Sequence, residues 1–534
     1  MKLLYNAKIH TLDSNQPVAD ALVINHHLRH EGRIITVGSY QQLQAEFGSM
    51  AKQVNLGGRT VLPGLTDSHI HLRQYANALQ SLDLFGSSKQ ACLDKVAQKA
   101  AQTPPGTWIQ GYGWSQDNWD GQFPTAADLD AVTTDHPVLL MAVSLHAVWV
   151  NSAALKAAGI TATTPDPPKG IIQRDPSGEP TGLLLEEAMK CFDQLLPSPT
   201  AETTLAQYEH TQEHLWRMGI TSVHDFDRIP SFITLQTLHH QGRLKLRVNK
   251  NLPVESLDTI IESGLRSGLG DHFLKIGSIK AFADGALGPR TAAMLEPYQD
   301  SPNNRGMLLL DAEGLVDFGQ KAVQNGLSLT VHAIGDAANH QILNGFEQLR
   351  RYEREHHLPH LRHRIEHVQL LHPADTLRLS QLDLIASMQP IHATSDMKMA
   401  DAGWGDRSRY AYAWRTLLKA NTKLTFGSDA PVDSPNPFYG LHAAVSRKTA
   451  DGEPGPEGWY SEEKLSLMEA LQAYTSGPAY TSGMEDHMGV LAPGFLADLI
   501  VLDQDPFTLP VDDLRHLKPS ATMLGGDWVF SEIE

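Results

Sequence analysis

The strongest constraint on this chain is a repeated alternation of short apolar strands with amphipathic helices. Eight strand-like segments can be read in order: RTVLPGLTD (59–67), ITSVHDF (220–226), LKLRVNKNL (244–252), FLKIGSIKAF (273–282), LSLTVHAI (327–334), HRIEHVQ (363–369), LIASMQP (384–390) and KLTFGSD (423–429). Helical patterns separate several of them, such as DAANHQILNGFEQLRRYERE after residue 335. Apolar strands alternating with helices favour a parallel sheet covered on both faces. Eight such units predict an α/β fold, a (β/α)₈ TIM-like barrel, here over 61–484. Ser466 and Glu469 form a capping-box pair that opens the last well-marked helix, LMEALQAY.

Two stretches depart from this repeat. Residues 1–60 read as short strands and turns (KLLYNAKIHTL, ALVINHHL, GRIITVG), and the texture returns in ADLIVLD (497–503) and ATMLGGDWVF (521–530). A small discontinuous β-sandwich domain, built from 1–60 and 485–534, is therefore expected. The second departure is the long gap between the first two strands. Residues 75–205 carry clusters such as GYGWSQDNWDG and TTPDPPKG, which predicts an insertion near the barrel mouth, placed as a lid or substrate-binding region.

Composition narrows the partners. A chain that is 41% hydrophobic and 19% charged can bury a large core. A net charge of −18 argues against nucleic acid or an anionic membrane as partner, since both require a basic face. With only Cys92 and Cys191, neither a disulfide framework nor a cysteine-based zinc site is expected. The N-terminus lacks the features of a signal peptide, and no apolar run is long enough to span a bilayer, so the expected location is the cytoplasm.

The chemistry concentrates at strand ends. Asp67-Ser68-His69-Ile70-His71 follows the apolar VLPGLT, and side chains two apart on an extended segment point the same way. His69 and His71 can thus reach one cation together, at the strand end where barrel active sites lie. In isolation an HxH is better explained by ordinary surface or core histidines, and the chain has 26. The later strands supply the context: Lys280 in GSIKAFADG, His332 in TVHAIGD, His367 in HRIEHVQ and Asp429 in FGSDAPV. His363 competes with His367, since both share strand parity; His367 is favoured because it stands nearer the C-terminal end.

These residues, in this order, resemble the amidohydrolase superfamily, and within it the YtcJ-like branch that is similar to N-substituted formamide deformylases. The resemblance extends through HAVWVNSAAL (146–155), RDPSGEPTGLLLE (174–186), IKAFADGALGPRTA (279–292), VHAIGD (331–336), HRIEH (363–367), GSDAPV (427–432) and PGFLADLIVLD (493–503). It implies that His69, His71 and Asp429 hold one divalent ion and His332 and His367 a second. Lys280, carbamylated by CO₂, would bridge them. A plain salt-bridging role for Lys280, and an N-cap role for Asp429, are the ordinary alternatives. Zinc suits such donors first, while iron, manganese or cobalt can take the same ligands.

The implied reaction is cleavage of a non-peptide C–N bond, in an amide or N-formyl amide, by metal-activated hydroxide, with Asp429 as general base and then acid. A cation lowers the pKa of water from about 15.7 to roughly 7, worth about 12 kcal/mol, against about 3–4 kcal/mol for one oxyanion-hole donor. The expected partner is a small amide-type molecule. Trp114, His146 and Arg290 are candidate contacts for it; Trp114 reads more readily as packing, and Arg290 equally as a structural partner of Asp284. A mononuclear deaminase or an esterase on the same fold is the nearest alternative, and an inactive binding or assembly barrel a more distant one. The oligomeric state stays open, with a homo-oligomer compatible with the resemblance.

Overall fold

The computed structural model describes residues 1–25, 31–116, 119, 123–143, 147–168, 170–196 and 200–533. It divides into two compact units, one of Met1–Arg73 with Glu209–Glu534, the other of Gln74–Tyr208.

The first unit contains the expected barrel. Its strands are β1 (Leu65–Ile70), β2 (Ile220–Asp225), β3 (Arg247–Pro253), β4 (Leu274–Phe282), β5 (Ser328–Ala333), β6 (Arg364–His367), β7 (Ile385–Met388) and β8 (Lys423–Phe426). Neighbours pair in chain order, and every pairing is parallel. β1, β2, β6 and β7 are buried at every residue, as strands covered on both faces must be.

The first strand differs from its expected bounds. Residues 59–63 belong to a long strand, Lys52–Pro63, in another sheet, and the barrel strand begins only at Leu65. Gly64 makes the break. A Cβ there would lie 2.4 Å from Thr221 Oγ1, so only glycine lets the chain cross so close to β2. His69 is consequently a residue of β1, and His71 stands just beyond its end.

The ring closes between β8 and β1. Asp429 N donates to His69 O at 2.7 Å, and His71 N donates to Ala430 O at 2.9 Å. Closure of the barrel thus brings together residues 360 positions apart in the chain (69 and 429).

Both termini contribute to one seven-stranded sheet. Its order is Asp527–Ser531, Pro519–Leu524, Leu499–Leu502, Lys52–Pro63, Lys2–His10, Val18–Ile24 and Ile34–Gly38. Leu4, Ile9, Leu22, Val61, Leu499 and Met523 form its apolar core. Asp498, in the ADLIVLD segment, receives Arg247 Nε at 2.6 Å and Nη2 at 2.9 Å, which ties this sheet to β3 of the barrel.

The second unit carries a six-stranded sheet, ordered Gly170–Arg174, Pro180–Glu186, Ala147–Val150, Val138–Ala142, Ile109–Trp114 and Leu82–Asp83. Among the described residues, no helix is long and apolar enough to cross a membrane. The helix opened by Ser466 has its capping box: Ser466 Oγ accepts from Glu469 N, and Ser466 N donates to Glu469 Oε2 at 2.7 Å.

Candidate metal centre

Six side chains singled out in the sequence meet at the C-terminal ends of the barrel strands. The carboxylate of Asp429 is the hub. Its Oδ1 lies 3.3 Å from His69 Nε2 and 3.3 Å from His71 Nε2. Two donors on one tetrahedral ion, each bonded at about 2.0–2.1 Å, stand roughly 3.3–3.4 Å apart. Oδ1 is buried and has no hydrogen-bond partner. An orphaned buried carboxylate oxygen is costly unless a cation is its partner. His69, His367 and Asp429 each place a ligand atom within 4.8 Å of the others. The ring of His332 stacks edge-on to that of His367, with centroids 4.5 Å apart. The donor set fits a divalent metal.

The surroundings orient each imidazole. His69 Nδ1 meets Glu366 Oε2 at 2.6 Å, His367 Nδ1 meets Gln389 Oε1 at 2.8 Å, and His71 Nδ1 faces Asp227 Oδ1 at 3.5 Å. These contacts leave Nε2 of each ring free for a cation, the arrangement usual around metal-binding histidines. His332 is turned the other way. Its Nε2 lies 2.9 Å from Gly285 O, which leaves Nδ1 as its ligand atom. Glu366 is itself held by Arg364, whose Nε stands 2.6 Å from Oε1.

Electrostatics favour neutral imidazoles where a ligand is needed. Burial pushes His69 and His367 well below the usual histidine range. It pushes His332 down to about 4, aided by the nearby charge of Lys280. Ligating histidines must be deprotonated, so this lowering favours metal uptake. For His71 burial works against the charged form, but Asp227 and Asp429 outweigh it and raise the pKa to about 9. The negative field that attracts a proton to His71 attracts a metal cation for the same reason. Lys280 is buried, with its Nζ 4.8 Å from the centre of the Phe226 ring and 4.7 Å from that of Phe282. Burial lowers it to about 8, against the opposing pull of Glu366 and Asp429.

Backbone geometry explains how the ligands reach the centre. His367 has φ 73° and Asp429 has φ 60°, both in the left-handed region that non-glycine residues rarely adopt. Such conformations cost of order 1–3 kcal/mol each and collect at functional sites. Gly427 makes the approach of β8 to β1 possible, since a Cβ there would lie 2.4 Å from His69 N and 2.7 Å from Asp67 Oδ1. Gly427→Ala must force these strand ends apart. Metal affinity is expected to fall at least about tenfold, which equilibrium dialysis against cobalt or zinc would measure.

Three expected substrate contacts have different placements. Trp114 lies fully inside the apolar core of the second unit, stacked on Trp119, with its indole N–H donated to Leu140 O at 2.8 Å. It packs, and presents no face to a ligand. Arg290 is engaged by Asp300, with Nη2 at 2.6 Å from Oδ2, and by Leu287 O at 2.9 Å. Its structural partner is thus Asp300, and not Asp284, which instead accepts the backbone N–H groups of Ala293, Ile334 and Gly335. His146 lies outside the described residues.

The rivalry between His363 and His367 is decided by orientation. On β6, Arg364 and Glu366 point into the barrel, reaching Ser68, His224 and His69. His363 faces the other way, against Phe346 and Glu353 of the helix Asp336–Glu355. His367 shares that parity, and only its left-handed backbone turns it to the centre.

Several participants were not singled out from the sequence. Glu366 sits inside the quoted HRIEH, and Asp67 inside DSHIH. Asp67 ties β1 to the end of β8, accepting from Ser428 N at 3.0 Å and Ser428 Oγ at 2.5 Å, and burial raises it to about 7. Asp227 and Gln389 lie just beyond strand ends, His392 lies in the helix Pro390–Trp404, and Asp433 lies farther along the segment after β8. Position at a strand's C-terminal end was the available signal for Asp227 and Gln389; His392 and Asp433 had none.

Residues 52–530 match the amidohydrolase family. The putative amidohydrolase YtcJ of Bacillus subtilis is 33% identical over 94% of this chain and 95% of its own length. The N-substituted formamide deformylase of Arthrobacter pascens is 27% identical over 98% of this chain and 97% of its own length. The crystal structure of an uncharacterized metal-dependent hydrolase from Pyrococcus horikoshii superposes with a TM-score of 0.78 at 30% identity, covering 96% of this chain and 99% of that one. A match over this span, on a barrel whose strand ends gather His69, His71, His332, His367 and Asp429, means that the chain belongs to the amidohydrolase family.

Proposed function

We propose that this protein is a metal-dependent hydrolase that cleaves a non-peptide C–N bond, in an amide or N-formyl amide of a small molecule. The observation that carries this reading is the buried Oδ1 of Asp429, which takes no hydrogen bond and faces two imidazole Nε2 atoms at 3.3 Å. The similarity to a formamide deformylase supports the bond type. His69, His71 and Asp429 would hold one cation, and His332 and His367 a second. Zinc is the first candidate. When bound, the cations would acidify water and polarise the scissile carbonyl.

The residues of the chain do the rest. Asp429 takes the proton of the attacking water and returns it to the leaving nitrogen. Glu366, Asp227 and Gln389 keep the imidazoles in place. Lys280 would join the centre as a carbamate: its amine nitrogen bonds to the carbon of CO₂, releases a proton, and presents two oxygens. Only the free amine reacts. Burial, which lowers Lys280 to about 8, leaves it more free amine near pH 8 than an exposed lysine has.

A panel of acyl amides, N-formyl amines, esters and aminated heterocycles tests this reading on chain stripped of metal and reloaded with a divalent cation and bicarbonate. Amide or formamide turnover that requires the metal supports it; turnover confined to esters or aminated rings replaces it. At fixed dissolved CO₂, reactivation should be faster at pH 8.5 than at pH 7, because raising the pH through 8 frees the amine. Equal rates would remove Lys280 from the centre.

A further inference from the structure

The turn from β7 into the helix Pro390–Trp404 delivers two side chains to the centre. Gln389 holds His367, and three residues on, His392 reaches Asp429. His392 is buried, and both of its ring nitrogens face carboxylates. Nδ1 lies 2.7 Å from Asp433 Oδ2, and Nε2 lies 3.5 Å from Asp429 Oδ2. Asp433 is fixed in turn by Ser395 Oγ, 3.2 Å from each of its oxygens. The two oxygens of Asp429 therefore have separate surroundings: Oδ1 faces His69 and His71, and Oδ2 faces His392.

We propose that His392, clamped by Asp433, is a positioning residue for Asp429. It engages Oδ2 and so fixes the carboxylate plane that keeps Oδ1 aimed between His69 and His71. The inference rests on the metal-centre reading above. A carboxylate bound through one oxygen can rotate about its terminal bond, and a fixed donor on the other oxygen removes that freedom. Productive geometry at a reacting centre depends on such supports, and their loss typically costs roughly 10–100-fold in activity or metal affinity.

The test uses His392→Ala, His392→Gln and Asp433→Asn in the full chain, loaded with cobalt(II) and assayed on the substrate the panel identifies. Cobalt stoichiometry should equal that of wild type in all three. The visible ligand-field spectrum should shift in His392→Ala. Its kcat should fall roughly 10–100-fold while KM changes less than about threefold. His392→Gln, which keeps a donor near the position of Nε2, should recover part of kcat, and Asp433→Asn should show a smaller loss in the same direction. Loss of a cobalt equivalent in His392→Ala would make His392 a ligand and overturn the proposal. A wild-type kcat and spectrum in the variants would also overturn it. A wild-type chain that binds no cobalt would sink the metal-centre reading and the inference with it.

Discussion

Asp429→Asn is expected to abolish turnover while the barrel stays folded. An amide cannot accept the proton of the attacking water, and that loss alone is worth roughly 10²–10⁴-fold. The substitution also takes a negative charge from the place where two imidazole nitrogens and a cation meet. His69→Ala should have as large an effect by another route. It removes one donor and strands Glu366, whose Oε2 is bonded to His69 Nδ1. Far-UV circular dichroism and a thermal melt should confirm that both variants remain folded. The decisive measurement is metal-supplemented turnover: an Asp429→Asn enzyme with more than about a tenth of wild-type kcat would remove the proton-transfer role.

The largest expected effect on stability lies away from the centre. Arg247 and Asp498 form a two-pronged ion pair with both side chains almost wholly buried, 3% and 5% exposed. Breaking a buried pair by removing one partner leaves an uncompensated charge, and typically costs about 3–5 kcal/mol. Arg247→Met should therefore lower the unfolding midpoint, read in urea or by calorimetry. Among the described residues, the carboxylate of Asp498 would keep a hydrogen bond only from Gly525 N, at 2.7 Å. Adding Asp498→Asn should recover much of the loss, because the charge is then gone and an acceptor for Gly525 remains. A double variant no more stable than Arg247→Met would show that charge burial is not the cause.

What is legible in the sequence of this protein depends on the range of the interactions concerned. Strand identity was legible, because most barrel strands carry a short apolar stretch bounded by helical periodicity or turn residues, a local property. The ligand candidates were legible because residue type and position at a strand end are local too. The partner of Arg290 was not legible because a guanidinium in a loop fits any acceptor, and the sequence cannot say that Asp300 is nearest. Trp114 stayed between packing and recognition because an aromatic side chain looks the same in a core as on a surface, and the structure puts it in a core. The start of β1 was misplaced because VLPGLT reads as one uninterrupted apolar stretch, and the division at Gly64 is dictated by Thr221, 157 residues away in the chain (64 and 221).

By itself, the sequence determined an eight-strand α/β barrel with strand-end histidines, an aspartate and a lysine, since periodicity and residue chemistry are written along the chain. Only the tertiary structure decided which atoms face one another. Barrel closure set Asp429 against His69, left-handed backbone turned His367 and not His363 to the centre, and the turn after β7 brought His392 to the second oxygen of Asp429. These are contacts between residues distant in the chain, fixed by packing and dihedral angles that no local pattern encodes.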